Sequence, residues 1–175
     1  MAFKSIVVAF DGSALASRAL DTGIDLAQQH QIPLGIIYVI DSSNMHLPDE
    51  MRKMGEAEHM IDPAPRVVVS LENAPASMMS SMAQADADSQ AAMFQYSEFL
   101  VAQARHSAIE AGVAEVEAKA VLGDPAEEVV AFAEQRQADL IICGCRGFGK
   151  LKSLILGSVS NKIAQLAKCS CLTMK

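Results

Sequence analysis

A chain of 175 residues, half apolar and a fifth charged, is the length of one ordinary globular domain. No apolar run is long enough to span a bilayer, and a net charge of −7 speaks against general nucleic-acid binding or docking on anionic lipid. Met1 to Ser5 has no signal-peptide shape, so the expected location is cytoplasmic.

Lys4 to Phe10 is a short apolar, β-branched run and predicts a strand buried on both faces. Asp11-Gly12-Ser13 follows as a turn, with Ser13 placed to cap a helix. Apolar positions Leu15, Ala19, Ile24, Leu26 and Ala27 mark one face of a helix over Ala14–Gln29. Leu34–Ile40 is a second buried strand, which completes a βαβ unit.

The stretch from Asp41 to about Ala85 breaks the pattern. It carries four prolines and seven of the ten methionines, and through Gln90 it has nine acidic residues against three basic ones. It reads as an insertion, with a short helix near Asp49–His59 and a strand-like piece at Arg66–Leu71. Methionine-rich surfaces adapt to partners, so the insertion is either adaptable packing or a lid or docking surface. Helical periodicity returns from about Met78 to Ala111 and ends at Gly112.

A strand at Glu115–Val121, a Gly123-Asp124-Pro125 turn and a helix at Ala126–Arg136 come next. A fourth strand, Asp139–Cys143, leads into Gly144-Cys145-Arg146-Gly147, then nine residues, then Gly157-Ser158. A helix at about Ser153–Ala167 and a strand at Cys171–Met174 close the chain. Alternating β and α elements predict an α/β fold: a parallel sheet with helices on both faces, and ligands at the carboxyl ends of its strands.

The glycine loop is the chief functional signal. Glycines at a strand end let a ligand approach the backbone, and a helix mouth offers unpaired N–H groups to an anion. Together they suit phosphates, most simply those of a nucleotide. Gly144-x4-Gly149-Lys150 starts like a P-loop, but Leu151 stands where Ser or Thr must hold Mg2+. The dinucleotide fingerprint Gly-x-Gly-x-x-Gly is absent here and after the first strand. Asp11 either shapes its turn or meets the ligand; its place opposite the loop favours contact. Arg146 and Lys150 either reach the terminal phosphate or remain solvated. Ser158 is read as a helix cap, a phosphate contact, or both. Cys143, Cys145, Cys169 and Cys171 invite a zinc reading, but the strand order sends the two pairs to opposite ends of the sheet, so no metal site is expected. His30, His46, His59 and His106 show no partner spacing, and no catalytic triad is recoverable.

The combination Val7-Val8-Ala9-Phe10-Asp11-Gly12-Ser13, Ile37-Tyr38-Val39, Gly123-Asp124-Pro125, Ala138 to Gly144 and Gly-x2-Gly-x9-Gly-Ser resembles the universal stress protein family along nearly the whole chain. The resemblance implies one domain over 1–175, interrupted at about 41–85. It implies a three-layer, Rossmann-like sandwich of the adenine nucleotide alpha hydrolase kind, with a five-stranded parallel sheet in the order 3-2-1-4-5. It also implies homodimers joined through the last strand. The intact glycine motif implies ATP binding (AMP or ADP being alternatives), with Mg2+ or Mn2+ as an accompanying ion. By position, Asp11 and Val39 would face adenine and ribose with Ala9 beside them, and Gly144, Gly147, Gly157, Ser158 and Val159 would cradle phosphates and ribose. The implied role is a nucleotide-responsive regulatory dimer. The alternatives are a slow ATP hydrolase or autophosphorylating enzyme, and a protein-interaction module working through the insertion. Ser170 stands where the family often has Pro, and Thr173 is polar on what should be an edge strand.

Overall fold

The computed structural model describes residues 3–41, 89–147 and 156–175. The expected short helix near 49–59, the strand-like piece at 66–71, the start of the second helix and Lys150 lie outside the described residues.

The elements run β1 (Ile6–Ala9), α1 (Ala14–His30), β2 (Leu34–Asp41), α2 (Ser89–Glu110), β3 (Val116–Gly123), α3 (Pro125–Gln135), β4 (Leu140–Gly144), α4 (Ser158–Leu166) and β5 (Ser170–Met174). The five strands are all parallel in the order β3-β2-β1-β4-β5. This is the α/β, Rossmann-like sandwich that the resemblance implies. The switch in strand order falls between β1 and β4, whose carboxyl ends carry Asp11 and Gly144.

Alternation along the strands supplies two cores. Ile6, Val8, Leu34, Ile36 and Ile142 face α1 and α2, where they pack with Leu20, Ile24, Leu100 and Ala104. Val7, Ile37, Ile141 and Cys143 face α3 and α4, where they meet Val129, Phe132 and Ile163. Both faces are covered over β1, β2 and β4, so these inner strands read as nearly unbroken apolar runs. Gly23 lets α1 lie directly on β1, because a Cβ there would come within 2.5 Å of Val8 Cγ2. As expected, α2 stops at Gly112, whose φ of +93° suits glycine.

The last helix starts later than its periodicity suggests. Gly157 is extended (φ −74°, ψ 164°), and its N–H turns back to the Cys145 carbonyl at 2.7 Å. That bond cannot coexist with a helix running through position 157, so α4 begins at Ser158.

Candidate functional site

Two junctions meet at the carboxyl edge of β1 and β4. The first is Phe10 to Ser13. Phe10 N–H donates to Ile37 O at 2.9 Å, which holds the strand end in the sheet. Gly12 takes φ +83°, which the turn asks of glycine, and a Cβ there would lie 3.0 Å from Leu100 Cδ1. Ser13 caps α1, its Oγ accepting from Ala16 N–H at 3.3 Å. Asp11 Oδ1 accepts from Ser13 N–H at 2.9 Å.

The second junction runs from Cys145 to Gly157. Cys145 N–H donates to Met174 O at 2.7 Å, which ties the loop to β5. The Cys145 carbonyl accepts from Gly157 N–H at 2.7 Å and from Ser160 Oγ at 3.0 Å. A single carbonyl therefore pins both ends of the loop. Sequence reasoning missed Ser160, whose only signal is a hydroxyl on the inner face of a short helix. Gly157, not Ser158, is the N-cap, and it supplies no side-chain cap bond. Ser158 takes the first helical position and is exposed, as is Val159. Gly157 contributes the space of its missing Cβ, since its own N–H is already taken.

The glycines bring the junctions together. A Cβ at Gly147 would run into Asp11 Oδ2. A Cβ at Gly144 would lie 2.9 Å from Arg146 O, 3.1 Å from Leu15 Cβ and 3.3 Å from Ala16 N. Gly144 thus lets β4 close on the start of α1, and Gly147 lets the loop lie against the carboxyl. Ala9 and Val39 are partly buried against the α3 and α4 core. The Arg146 region is exposed.

Burial pushes the Asp11 carboxyl above the 3.8 of an exposed aspartate, against the opposing effect of its bonds to Ser13. Two buried tyrosines share its surroundings. Burial and then the nearby Asp11 charge push the Tyr96 phenol up to about 12, and the same two causes raise Tyr38 further. The sequence placed Tyr38 at the end of β2 but gave no hint of Tyr96, which α2 delivers from beyond the insertion.

Among the described residues, no three His, Cys, Asp or Glu side chains group as metal ligands. The four thiols are free. The two cysteine pairs are less separated than the strand order suggested. Ile141 pairs with Cys171 and Cys143 with Thr173, so Cys171 comes near Cys143 across the seam. Burial first, then Cys171 and Cys145, push the Cys143 thiol up to about 12, which makes it a poor nucleophile. A cavity of about 310 Å3 lined by Val130, Ala133, Ile141, Ala167 and Cys169 opens at the amino end of β4 and β5, away from Asp11. No helix among the described residues is long and apolar enough to cross a membrane.

The sequence pattern of the universal stress protein family matches residues 2–175. The chain belongs to the universal stress protein family. It is 29% identical over 173 residues to universal stress protein YxiE of Bacillus subtilis (strain 168), covering 99% of both chains. Hypothetical protein MJ0577 has a similar fold, with a TM-score of 0.67 at 19% identity and coverage of 100% of this chain and 97% of that one. So does a universal stress protein whose crystal structure is in complex with cAMP, with a TM-score of 0.57 at 20% identity and coverage of 99% and 98%.

Proposed function

We propose that this universal stress protein binds ATP in the crevice between the β1–α1 turn and the β4–α4 loop, and acts as a nucleotide-responsive regulatory homodimer in cytoplasmic stress adaptation. The observation that carries the reading is Gly147 laid against the Asp11 carboxyl, beside a helix start capped by glycine alone. The first-turn N–H groups at Ser158, Val159 and Ser160, to which Gly157 offers no side-chain cap, suit phosphate oxygens. Asp11, an acceptor when ionised, suits ribose hydroxyls or the adenine amine. Ala9 and Val39 supply apolar floor, Gly144 and Gly157 supply room, and Arg146 and Lys150 are the loop cations proposed to reach the terminal phosphate. A divalent cation, Mg2+ or Mn2+, would arrive on the phosphates. The similar fold of a protein solved with cAMP supports an adenine nucleotide as the ligand class.

The homodimer reading rests on β5. It is an edge strand, and Leu172 on it is 38% exposed. Pairing of two edges would satisfy backbone groups that one copy leaves open. The chain is taken as one domain over 1–175, and the insertion at 41–85 is the proposed place for a protein partner.

Mass spectrometry of small molecules released from the purified, denatured protein tests the ligand. A copurified adenine nucleotide is expected. Equilibrium binding of labelled ATP should fall at least tenfold in Gly147→Val, about 1.4 kcal/mol. Unchanged affinity in that variant would remove Gly147 from the site. ATP turnover on the order of 1–1000 per second would move the protein to the enzymes.

A further inference from the structure

We propose that Ser160 is a positioning residue for the phosphates: its buried hydroxyl fixes the root of the glycine loop against the start of α4, so that the two grip one polyanion together. This rests on the nucleotide reading above and names the side chain on which the phosphate half of that site depends.

Cys145, at the root of the loop, is tied on both sides. Its N–H donates to Met174 O at 2.7 Å, and its carbonyl accepts from Gly157 N–H at 2.7 Å. These backbone bonds set where the loop leaves the sheet and where α4 begins. A side chain is added to them. Ser160 is 4% exposed, and its Oγ lies 3.0 Å from Cys145 O and 3.1 Å from Gly157 O. The Gly157 contact is the ordinary back-bond of a helical serine to its own preceding turn. The Cys145 contact spans 15 residues of sequence and joins the loop root to the helix. One hydroxyl therefore sits astride the joint. Turning the Cys145 peptide away would cost that hydroxyl a partner in a buried place.

Among the described residues, few other groups hold α4. It is nine residues long, too short to be stable alone, and its buried residues are Ser160 and Ile163. Ile163 packs beside Val129 and Phe132, and apolar contact is non-directional, so it permits rotation that a hydrogen bond resists. Lys162 binds Asp124 and Glu127 from an exposed position, where ion pairs are weak. In the proposed site the phosphates are held by Gly144 and Gly147 on one side and by Gly157, Ser158 and Val159 on the other. If the joint is loose, the ligand must order it on binding, and affinity falls. Adenosine, held by Asp11, Ala9 and Val39, does not bridge the joint.

The test titrates labelled ATP and adenosine against the full chain, Ser160→Ala and Ser97→Ala. Ser97 is the matched control, a fully buried serine whose Oγ donates to Phe94 O at 2.8 Å within α2. Ser160→Ala is expected to weaken ATP about three- to tenfold, the worth of one hydrogen bond, and to keep adenosine. Ser97→Ala should keep both. Ser160→Cys retains the volume with a weaker donor, so its ATP affinity should fall between the two. If Ser160→Ala does not fold, the ATP-to-adenosine comparison in Ser160→Cys decides. Unchanged ATP affinity, or equal weakening of ATP and adenosine, overturns the positioning role and leaves the nucleotide reading standing. No ATP binding by the unaltered protein overturns both.

Discussion

The β1–α1 and β4–α4 junctions meet at one edge of the sheet and finish their helices in opposite ways. At the first, side chains close the helix start: Ser13 caps α1 and Asp11 takes the Ser13 N–H. At the second, Gly157 caps α4 with no side chain, and the loop is held by the Cys145 carbonyl from below. The α3 start follows the closed pattern, with Asp124 accepting from Ala126 and Glu127 N–H at 3.0 Å each and Lys162 bound outside it. The lesson is that an open helix start is a choice. A serine or aspartate at position 157 would serve the helix better and would occupy the amides that an anion needs.

Gly144→Val attacks the contact between the two junctions and should have the largest effect. The neighbours a side chain would meet are backbone atoms of Arg146 and Ala16 and the Cβ of Leu15, none of which can swing away. Overpacking of this kind costs about 1–3 kcal/mol, read as a lower urea midpoint, and ATP binding should be lost with it. Asp124→Ala is the control at a closed start. It should cost about 0.5–2 kcal/mol as a lost cap, with ATP affinity unchanged. A matching loss of affinity would mean that the open and closed helix starts are not separate in function.

Acid should distinguish the two aspartates with opposite signs. Bonds to Glu127 N–H and to Lys162 lower the Asp124 pKa below 3.8. Its contribution is present above 3.8 and disappears as pH falls through the lowered value. The stability gap between Asp124→Ala and the unaltered protein should close in the same direction. Asp11 behaves in reverse: its folded pKa lies above 3.8, so the unliganded fold loses stability as pH rises from 3.8 through that value. Asp11→Asn should flatten that loss and leave the unliganded protein more stable at neutral pH. Denaturant melts at several pH values check both.

Much of the fold was readable because the inner strands carry apolar, largely β-branched runs, as in Ile6–Ala9, and because α1, α3 and α4 carry an apolar stripe. Asp11 and the glycines were readable because their spacing is local. Three things were not. Ser160 reaches Cys145 across the loop, and a hydroxyl in a helix has no pattern that announces such a bond. Tyr96 meets Asp11 only through packing of α2, beyond the insertion. The start of α4 was missed because helical periodicity in 153–157 says nothing about an N–H that turns back to a strand.

Ser158→Asp tests the open helix start with the smallest expected change in stability. A carboxylate at the first helical position interacts favourably with the α4 dipole, worth about 0.3–1 kcal/mol, so the unliganded protein should become slightly more stable. The same charge stands where the phosphates would be held, so ATP affinity should fall while adenosine affinity is kept. A protein that gains stability and loses ATP alone would show that the helix start serves the phosphates. Equal retention of both ligands would detach α4 from the nucleotide and leave Asp11 and Gly147 to carry the site without it.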